Sequence, residues 1–280
     1  MAGKFTKEEA VSKLRAERDA GRAVYDALCG TGVTAKMAAR GGADLICTHI
    51  LAYYRMQGLS SMAGYLPIAD ANALTKELGE RSIINVVTEC PVIAGILCPD
   101  PTRNMHNFVD GLWDVGFDGI MNCPTVALID GNFRAALEET GMSYDQEVEV
   151  LGYASSKGMF TKAFCTTPEE ALAMAEVGVD NIIIHYGNSS GGTIGSSTVL
   201  GMDESIERTA KVIDVLQAKH SDLILTCHGG SIENPEDFAA FLEKEPRLDG
   251  YVGGSSAERF PIEESVPRVT QGFKSVKLKK

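Results

Sequence analysis

Short apolar runs alternate with longer stretches of helical periodicity along most of the chain. An amphipathic pattern over residues 6–20 comes first, and eight apolar runs then follow, most of them ending in a Gly-, Asp- or Pro-rich turn. The runs cover residues 23–29, 44–50, 91–97, 117–123, 159–165, 181–187, 223–229 and 250–254. Runs of this kind are typical of strands in a parallel sheet that is buried on both faces.

Helical patterns lie between these runs, and local signals mark their ends. They cover residues 34–43, 105–117, 166–179, 203–220 and 234–245. Thr167 and Pro168 predict an N-cap and a first helical residue. Glycines just before an aspartate, as in "GGAD", "VGFD" and "VGVD", predict left-handed caps at helix ends. Eight strands alternating with helices favour a closed (β/α)₈ TIM barrel, an α/β fold, over an open doubly wound sheet.

The pattern shows no linker and no second domain. We predict one TIM-barrel domain over residues 1–280, with an N-terminal helix in 1–20, the barrel in 21–260, and a C-terminal helix with a basic tail in 261–280. Three long connections leave the C-terminal ends of strands, at residues 51–72, 124–143 and 188–203. This is the face where TIM barrels place their active sites, and the Gly/Ser-rich third connection predicts a closing loop.

Composition narrows the class of protein. The net charge of −12 argues against a nucleic-acid partner, since phosphates require a basic surface. No apolar run reaches the about 18 residues of a membrane span, and residues 1–21 are charged where a signal peptide is apolar, so we expect a cytoplasmic protein with no membrane partner. Seven cysteines without a CxxC pair predict buried, reduced thiols.

Polar residues at the ends of the predicted strands are the candidates for catalysis. His185 and His228 end neighbouring strands, and a glycine follows each of them within two residues, in "HYG" and "HGG". We interpret the pair as general acid and base, with a hydrogen-bonded core histidine as the alternative for either one alone. Asp100 is a candidate to bind a divalent ion or to orient a histidine, and Asn122 is a candidate to stabilise an oxyanion.

Glycine-rich turns after the last two strands predict an anion site. Loops after strands seven and eight of many barrels hold a phosphate through backbone N–H groups. The candidates here are Gly229, Gly230, Gly253, Gly254, Ser255 and Ser256. A plain turn is the alternative interpretation.

Further candidates come from the first two connections. Gly30, Thr31 and Gly32 follow the first strand and are expected to line the mouth, and Arg55 in the second connection is added as a substrate-binding candidate. His49 carries less weight than the histidine pair. Lys162 is set aside as a Schiff-base lysine, because the sequence does not show that it faces the interior.

Together the motifs resemble a known family. The stretches "GTGVTAKMAARGGADLI", "RMQGLSSMAGYLPIADAN", "PVIAGILCPDP", "PTVALIDGNFRAALEETGM", "GGTIG" and "CHGG" resemble the phosphoenolpyruvate hydrolase-like TIM-barrel family, also described as IGPS-like, over residues 15–273. The resemblance implies a single barrel of the phosphoenolpyruvate/pyruvate superfamily, whose members cleave or form C–C and P–C bonds beside a pyruvoyl group. The superfamily's pair of metal-binding carboxylates is reduced here to Asp100 in "CPDP", and "HYG" stands where relatives are expected to have "HMG".

We therefore expect a hydrolase or lyase that acts on a small anionic oxo or enol acid by C–O, P–O or C–C cleavage. The cofactor is left open, with Mg²⁺ as the candidate divalent cation. The alternative is a non-catalytic sensor or interaction module, because a similar domain forms part of a plant antiviral protein. A homo-oligomer is expected, since barrels of this superfamily assemble.

Overall fold

A closed barrel of eight parallel strands forms the centre of the molecule. The computed structural model describes residues 5–279, and in it every strand pairs with the next while β8 pairs with β1. The strands are β1 Val24–Leu28, β2 Leu45–Thr48, β3 Val92–Ile96, β4 Gly119–Asn122, β5 Phe160–Cys165, β6 Asn181–Ser189, β7 Ile224–Gly230 and β8 Gly250–Gly253. This confirms the predicted (β/α)₈ barrel and all eight strand positions.

Eleven α-helices in the described residues surround or extend the barrel. They are α1 Lys7–Asp19, α2 Gly32–Arg40, α3 Ile50–Met56, α4 Ala71–Leu78, α5 Met105–Val115, α6 Gly131–Glu139, α7 Tyr144–Ser156, α8 Pro168–Glu176, α9 Met202–Gln217, α10 Pro235–Lys244 and α11 Arg259–Lys274. Two of the predicted long loops therefore carry helices, since most of α3 and the start of α4 lie in residues 51–72 and α6 lies in residues 124–143. The helical pattern of α7 was missed in the sequence.

Glycine and aspartate together form the turns from helix to strand. Gly42, Gly116 and Gly178 have φ angles of 95°, 112° and 83°, which confirms the predicted left-handed caps. The aspartate two residues after each of these glycines accepts a hydrogen bond from a backbone N–H at or near the start of a neighbouring strand. These bonds join Asp44 to Tyr25 at 3.0 Å, Asp118 to Val92 at 2.8 Å, Asp180 to Thr161 at 2.9 Å and, after α10, Asp249 to Leu225 at 2.8 Å. The Gly-x-Asp pattern thus connects three helix-to-strand turns to a neighbouring strand, and Asp249 makes the same bond without a glycine two residues before it.

The barrel interior is closed at its N-terminal end and contains polar side chains at its middle. Ala10 and Leu14 of α1 belong to the same buried apolar cluster as the inward side chains of the strands, so α1 closes the N-terminal end. Lys162 lies between Phe160 and Phe164 on the inner face of β5, is fully buried, and forms an ion pair with Asp26 on β1 across the barrel. The question left by the sequence is answered, because Lys162 faces the interior and is paired there.

Two further expectations from the sequence concern the cysteines and the insertion of helices into a membrane. All seven cysteines are buried and free, as predicted. Among residues 5–279 no helix combines the length and the apolar character that crossing a bilayer requires. The cytoplasmic location stays a prediction.

Candidate active site

Two histidines meet at the C-terminal mouth of the barrel. His185 on β6 and His228 on β7 are register partners, and their ring centroids are 4.9 Å apart with the rings inclined at 78°. The ring of Phe164 packs against both, at centroid distances of 4.6 Å and 5.4 Å. The order of strands in the sequence thus places these two imidazoles side by side.

A backbone contact determines the tautomer of His228. Its Nδ1 lies 2.6 Å from the carbonyl oxygen of Val252, which only accepts, so Nδ1–H is the donor. Burial lowers the pKa of His228 to about 4; this hydrogen bond opposes the shift, and the charges of Arg55 and Lys162 add to it. The ring is therefore neutral at pH 7, and Nε2 carries the lone pair.

His185 has the opposite tautomer. The backbone N–H of Gly187 donates to its Nδ1 at 2.9 Å, so the proton of the neutral ring is on Nε2. Burial, followed by the proximity of His228 and Arg208, lowers the pKa of His185 well below its usual value. The pair therefore offers a basic nitrogen on His228 next to an N–H hydrogen-bond donor on His185.

The histidine pair lines a small pocket of about 50 Å³. His49 and Arg55 line the same pocket, and no aspartate or glutamate is among its lining residues. Ser61 and Tyr65 reach it from the connection after β2. The site is therefore a nitrogen-rich cavity that suits a small anion.

Arg55 is held by a carboxylate but keeps one nitrogen on the pocket side. Its Nε and Nη2 donate to Glu258 at 3.0 Å and 2.7 Å, and Nη2 also donates to the Leu28 carbonyl at 2.6 Å. A Cβ on Gly254 would lie 3.5 Å from Nη1 of Arg55 and 3.0 Å from Cε1 of His228. The absence of a side chain at residue 254 thus leaves space between the guanidinium and the imidazole.

His49 ends the strand–helix turn after β2. It is the N-cap of α3, where its Nδ1 accepts the backbone N–H of Ala52 at 3.2 Å, and it is 2% exposed. Burial, followed by the proximity of Arg55 and His228, lowers its pKa well below the usual value. The apolar helical pattern directly after His49 was a signal in the sequence for this capping position.

Asp100 lies outside this pocket. Its Oδ2 accepts hydrogen bonds from Asn72 at 2.9 Å and from Arg103 at 2.6 Å, and its Oδ1 accepts two from Thr102 at 2.9 Å and 2.6 Å. It lines instead a larger apolar cleft of about 560 Å³, which shares Tyr65 with the pocket. The predicted role as a metal ligand or histidine partner is not supported by this position.

Asn122 is fully buried in the wall of the barrel. Its Nδ2 donates to Glu147 at 2.6 Å and to the Phe164 carbonyl at 3.0 Å, while its Oδ1 accepts the Phe164 N–H at 2.7 Å. Burial raises the pKa of Glu147, which lies on the helix missed in the sequence, to about 8. Because both ends of its amide are already hydrogen-bonded, Asn122 has no donor left for an oxyanion. Its role is instead to hold β4 and β5 together through Phe164.

The glycines after β7 serve the sheet rather than the pocket. Gly229 and Gly230 have φ angles of 86° and 66°, are buried, and do not line the pocket. A Cβ on Gly229 would come within 2.0 Å of the Gly187 carbonyl oxygen. These glycines allow the backbones of β6 and β7 to pack closely side by side. Their position supports this packing role and not the predicted binding of an anion.

The residues of the turn after β8 differ in role, because some line the pocket and others pack against the barrel. Gly254 and Ser255 line the pocket, and their predicted role in binding an anion stays a prediction. Gly253 is packed against Tyr25, whose hydroxyl oxygen would be 2.3 Å from an added Cβ, while the Ser256 hydroxyl is buried beside the same tyrosine. Gly253 and Ser256 are therefore structural.

The turn after β1 supports the pocket from behind. The N–H of Gly30 donates to Glu258 at 2.9 Å, Thr31 caps α2, and a Cβ on Gly32 would lie 2.5 Å from the Ser82 carbonyl oxygen. None of the three lines the pocket, so of the four predicted substrate-binding residues only Arg55 does.

A closed parallel barrel with a polar pocket at the C-terminal ends of its strands is the architecture of a TIM-barrel protein. Residues 9–276 match the family described as phosphoenolpyruvate hydrolase-like, and the chain belongs to that family. The resemblance seen in the motifs is thereby confirmed.

Relatives of the chain are found in a plant and in a bacterium. The chain is 41% identical over 268 residues to the ToMV resistance protein Tm-1(GCR237) of Solanum lycopersicum, covering 96% of this chain and 35% of that protein. It is 33% identical over 250 residues to the putative transcriptional regulatory protein y4pA of Sinorhizobium fredii, covering 89% of this chain and 41% of that one. The chain thus spans between a third and half of the length of these relatives.

Solved structures with the same fold include two enzymes at low sequence identity. A phosphonopyruvate hydrolase in complex with oxalate and Mg²⁺ superposes with a TM-score of 0.61 at 15% identity, covering 95% of this chain and 87% of that one. A 2,3-dimethylmalate lyase of the PEP mutase/isocitrate lyase superfamily gives a TM-score of 0.61 at 14% identity, covering 96% and 88%. These likenesses show the shared barrel.

Proposed function

We propose that this barrel is a hydrolase or lyase that cleaves a C–O, P–O or C–C bond beside the carbonyl of a small anionic oxo or enol acid. The observation that carries the proposal is the pair of opposite tautomers, His185 with Nε2–H and His228 with a free Nε2, at one pocket. The family description and the fold shared with a phosphonopyruvate hydrolase support the class of substrate.

In a hydrolytic cycle His228 serves first as base and then as acid. Its Nε2 accepts a proton from water as the water oxygen forms its bond to phosphorus or carbon, and His228 becomes imidazolium. The bond to the leaving carbon or oxygen breaks, and the leaving atom takes that proton from Nε2 of His228, while Nε2–H of His185 donates a hydrogen bond to the developing negative charge. His228 is neutral again at the end, so that one water is consumed for each bond cleaved.

Negative charge at the pocket stabilises the proton transfers. The substrate anion offsets the effect of Arg55 and of burial, both of which lower the pKa of His228. Its base strength therefore rises when substrate binds, toward the range that is useful near pH 7. In the free protein the same residue stays neutral and unprotonated.

The residues present do not fit a Mg²⁺ ion at this pocket. Mg²⁺ prefers oxygen ligands, including one or two carboxylates, whereas the pocket is lined by three imidazoles and a guanidinium and by no carboxylate. Within residues 5–279, no three acidic, histidine or cysteine side chains are grouped as metal ligands. The proposal therefore uses Arg55 and the imidazole N–H groups to stabilise developing negative charge.

Turnover by matched histidine variants tests the proposal. Phosphonopyruvate, phosphoenolpyruvate, oxaloacetate and further 2-oxo and 3-oxo acids are assayed with and without Mg²⁺. We expect His228→Gln and His185→Gln to reduce kcat by about 10²–10⁴-fold, while His220→Gln, which lies before β7 at the other end of the barrel, leaves it unchanged. Turnover that survives both active-site substitutions contradicts the assignment, and tight binding of an acid without any turnover favours the non-catalytic sensor.

We infer that the chain also assembles with itself through α11. Ile262, Val266, Val269 and Phe273 repeat at helical spacing along this helix, and Val266, Val269 and Phe273 are more than half exposed. A stripe of this kind requires a covering surface, and a second copy of the chain supplies one. Light scattering after size exclusion is expected to give a multimer for the wild type and a smaller species for Phe273→Glu; a monomeric wild type contradicts the inference.

A further inference from the structure

One donor in the pocket remains without a partner. Nε2 of His49 is buried and has no hydrogen-bond partner among residues 5–279. Most buried N–H groups in folded proteins are paired, and leaving one unpaired destabilises the folded chain. A ligand atom that accepts from Nε2 would remove this cost.

The hydrogen bonds of His49 fix which nitrogen carries the proton. Nδ1 accepts from the backbone of Ala52, so the neutral ring has its proton on Nε2. Asparagine, aspartate and serine are the usual residues for this capping role. A histidine here adds an N–H group that the cap does not use, and the residue is one of those that line the pocket.

The fold makes room for this ring at the mouth. A Cβ on Gly95 of β3 would lie 2.6 Å from Cβ of His49, so only glycine at residue 95 accommodates the side chain in its present place. Arg55 follows on the same helix and lines the same pocket. The turn from β2 to α3 thus delivers a neutral donor and a cation together.

The donors and the acceptor of the pocket divide it into two ends. Nε2 of His228 carries a lone pair and repels a carboxylate oxygen, whereas Arg55 and His49 present N–H groups. We propose that His49 is a substrate-binding residue whose Nε2–H, together with Nη1 of Arg55, holds the carboxylate of a short 2-oxo acid, so that the reacting carbon faces His185 and His228. This inference rests on the proposed function.

The volume of the pocket limits how much of that acid it encloses. The cavity measures only about 50 Å³. The pocket therefore holds the carboxylate end of a short acid, and the rest of the acid extends toward the cleft that shares Tyr65 with the pocket.

Oxalate is the probe, and His49→Asn is the variant. Asparagine keeps the cap of α3 but lacks the Nε2–H donor. We expect calorimetry to show oxalate binding to the wild type and a dissociation constant raised about 10- to 100-fold in His49→Asn. Thr167→Asn also places an asparagine at a helix N-cap, that of α8, which lies outside the pocket. This variant is expected to leave the affinity unchanged. With a turned-over substrate, His49→Asn raises KM by a larger factor than it lowers kcat.

The possible failures are distinguishable. Equal oxalate affinity in wild type and His49→Asn overturns the role of His49 and leaves the histidine pair intact. No oxalate binding to the wild type overturns this inference and the anion pocket of the proposed function. Side-chain ¹⁵N NMR of the wild type gives an independent test: a proton on Nε2 of His49 that shifts with oxalate supports the inference, and a proton on Nδ1 overturns it.

Discussion

The buried position of His228 makes the stability of the protein depend on pH in a defined direction. Its pKa is lowered from 6.5 to about 4 in the folded chain, first by burial. Between these values the unfolded chain binds a proton that the folded chain does not, so stability falls as the pH falls from 6.5 toward 4 and is fully present above 6.5. A difference of 2.5 pKa units, from 6.5 less 4, at about 1.4 kcal/mol per unit gives at most about 3 kcal/mol, since the ring keeps some exposure.

The assay separates the contribution of this residue from that of titrating groups outside the pocket. Free energies of unfolding by urea are measured at pH 7.5, 6.5, 5.5 and 4.5 for the wild type and for His228→Gln, and the difference between the two is followed with pH. We expect the wild type to lose up to about 3 kcal/mol relative to the variant over this range. Ile183→Val, which removes one buried methyl group and no titrating group, serves as control with a constant loss of about 1 kcal/mol. A wild-type-minus-His228→Gln difference that does not change with pH refutes the burial and neutrality assigned to His228.

Three further predictions concern residues at the mouth of the barrel. Glu258→Gln leaves the buried guanidinium of Arg55 uncompensated and is expected to cost about 3–5 kcal/mol in urea unfolding; a loss below 1 kcal/mol contradicts the pairing. Gly229→Ala brings a Cβ to 2.0 Å from the Gly187 carbonyl at a positive φ, so we expect a loss above about 2 kcal/mol in thermal unfolding, and an unchanged melting temperature refutes the close packing. Gly254→Ala has no such backbone strain but places a methyl group between His228 and Arg55, so oxalate affinity should fall more than tenfold in calorimetry with a far smaller change in stability; unchanged affinity places the anion elsewhere.

Patterns of apolar residues were sufficient to predict the barrel and the meeting of its two histidines. Each strand is buried on both faces, so its sequence is a continuous apolar run, and consecutive runs become neighbours in a parallel barrel. His185 and His228 each stand near the end of such a run, and the register then places them side by side. The glycines before Asp44, Asp118 and Asp180 likewise show their function locally.

The tautomers and the wall residues could not be read in the same way. The proton positions depend on the Val252 carbonyl and the Gly187 N–H, which reach the rings only through strand register and a local turn. Asn122 is engaged by Glu147 of α7, a helix whose pattern was overlooked. Gly229 looks the same in sequence whether it approaches a ligand or a neighbouring strand, because both need a backbone without Cβ.

Lys162 shows a signal that was present but not used. It alternates with Phe160 and Phe164, so strand periodicity places all three on one face, and two large aromatic side chains indicate the buried one. The partner, Asp26, is separated by more than a hundred residues and becomes predictable only once β1 and β5 are known to face each other across the ring.

The location of a bound anion tests the account most directly. A crystal structure of the protein with oxalate is expected to show the anion in the pocket formed by residues of β6, β7 and α3, within hydrogen-bond distance of Arg55 and of the Nε2–H groups of His49 and His185. Oxalate bound at the backbone of Gly229 and Gly230, in the cleft beside Asp100, or nowhere on the barrel mouth would contradict the account.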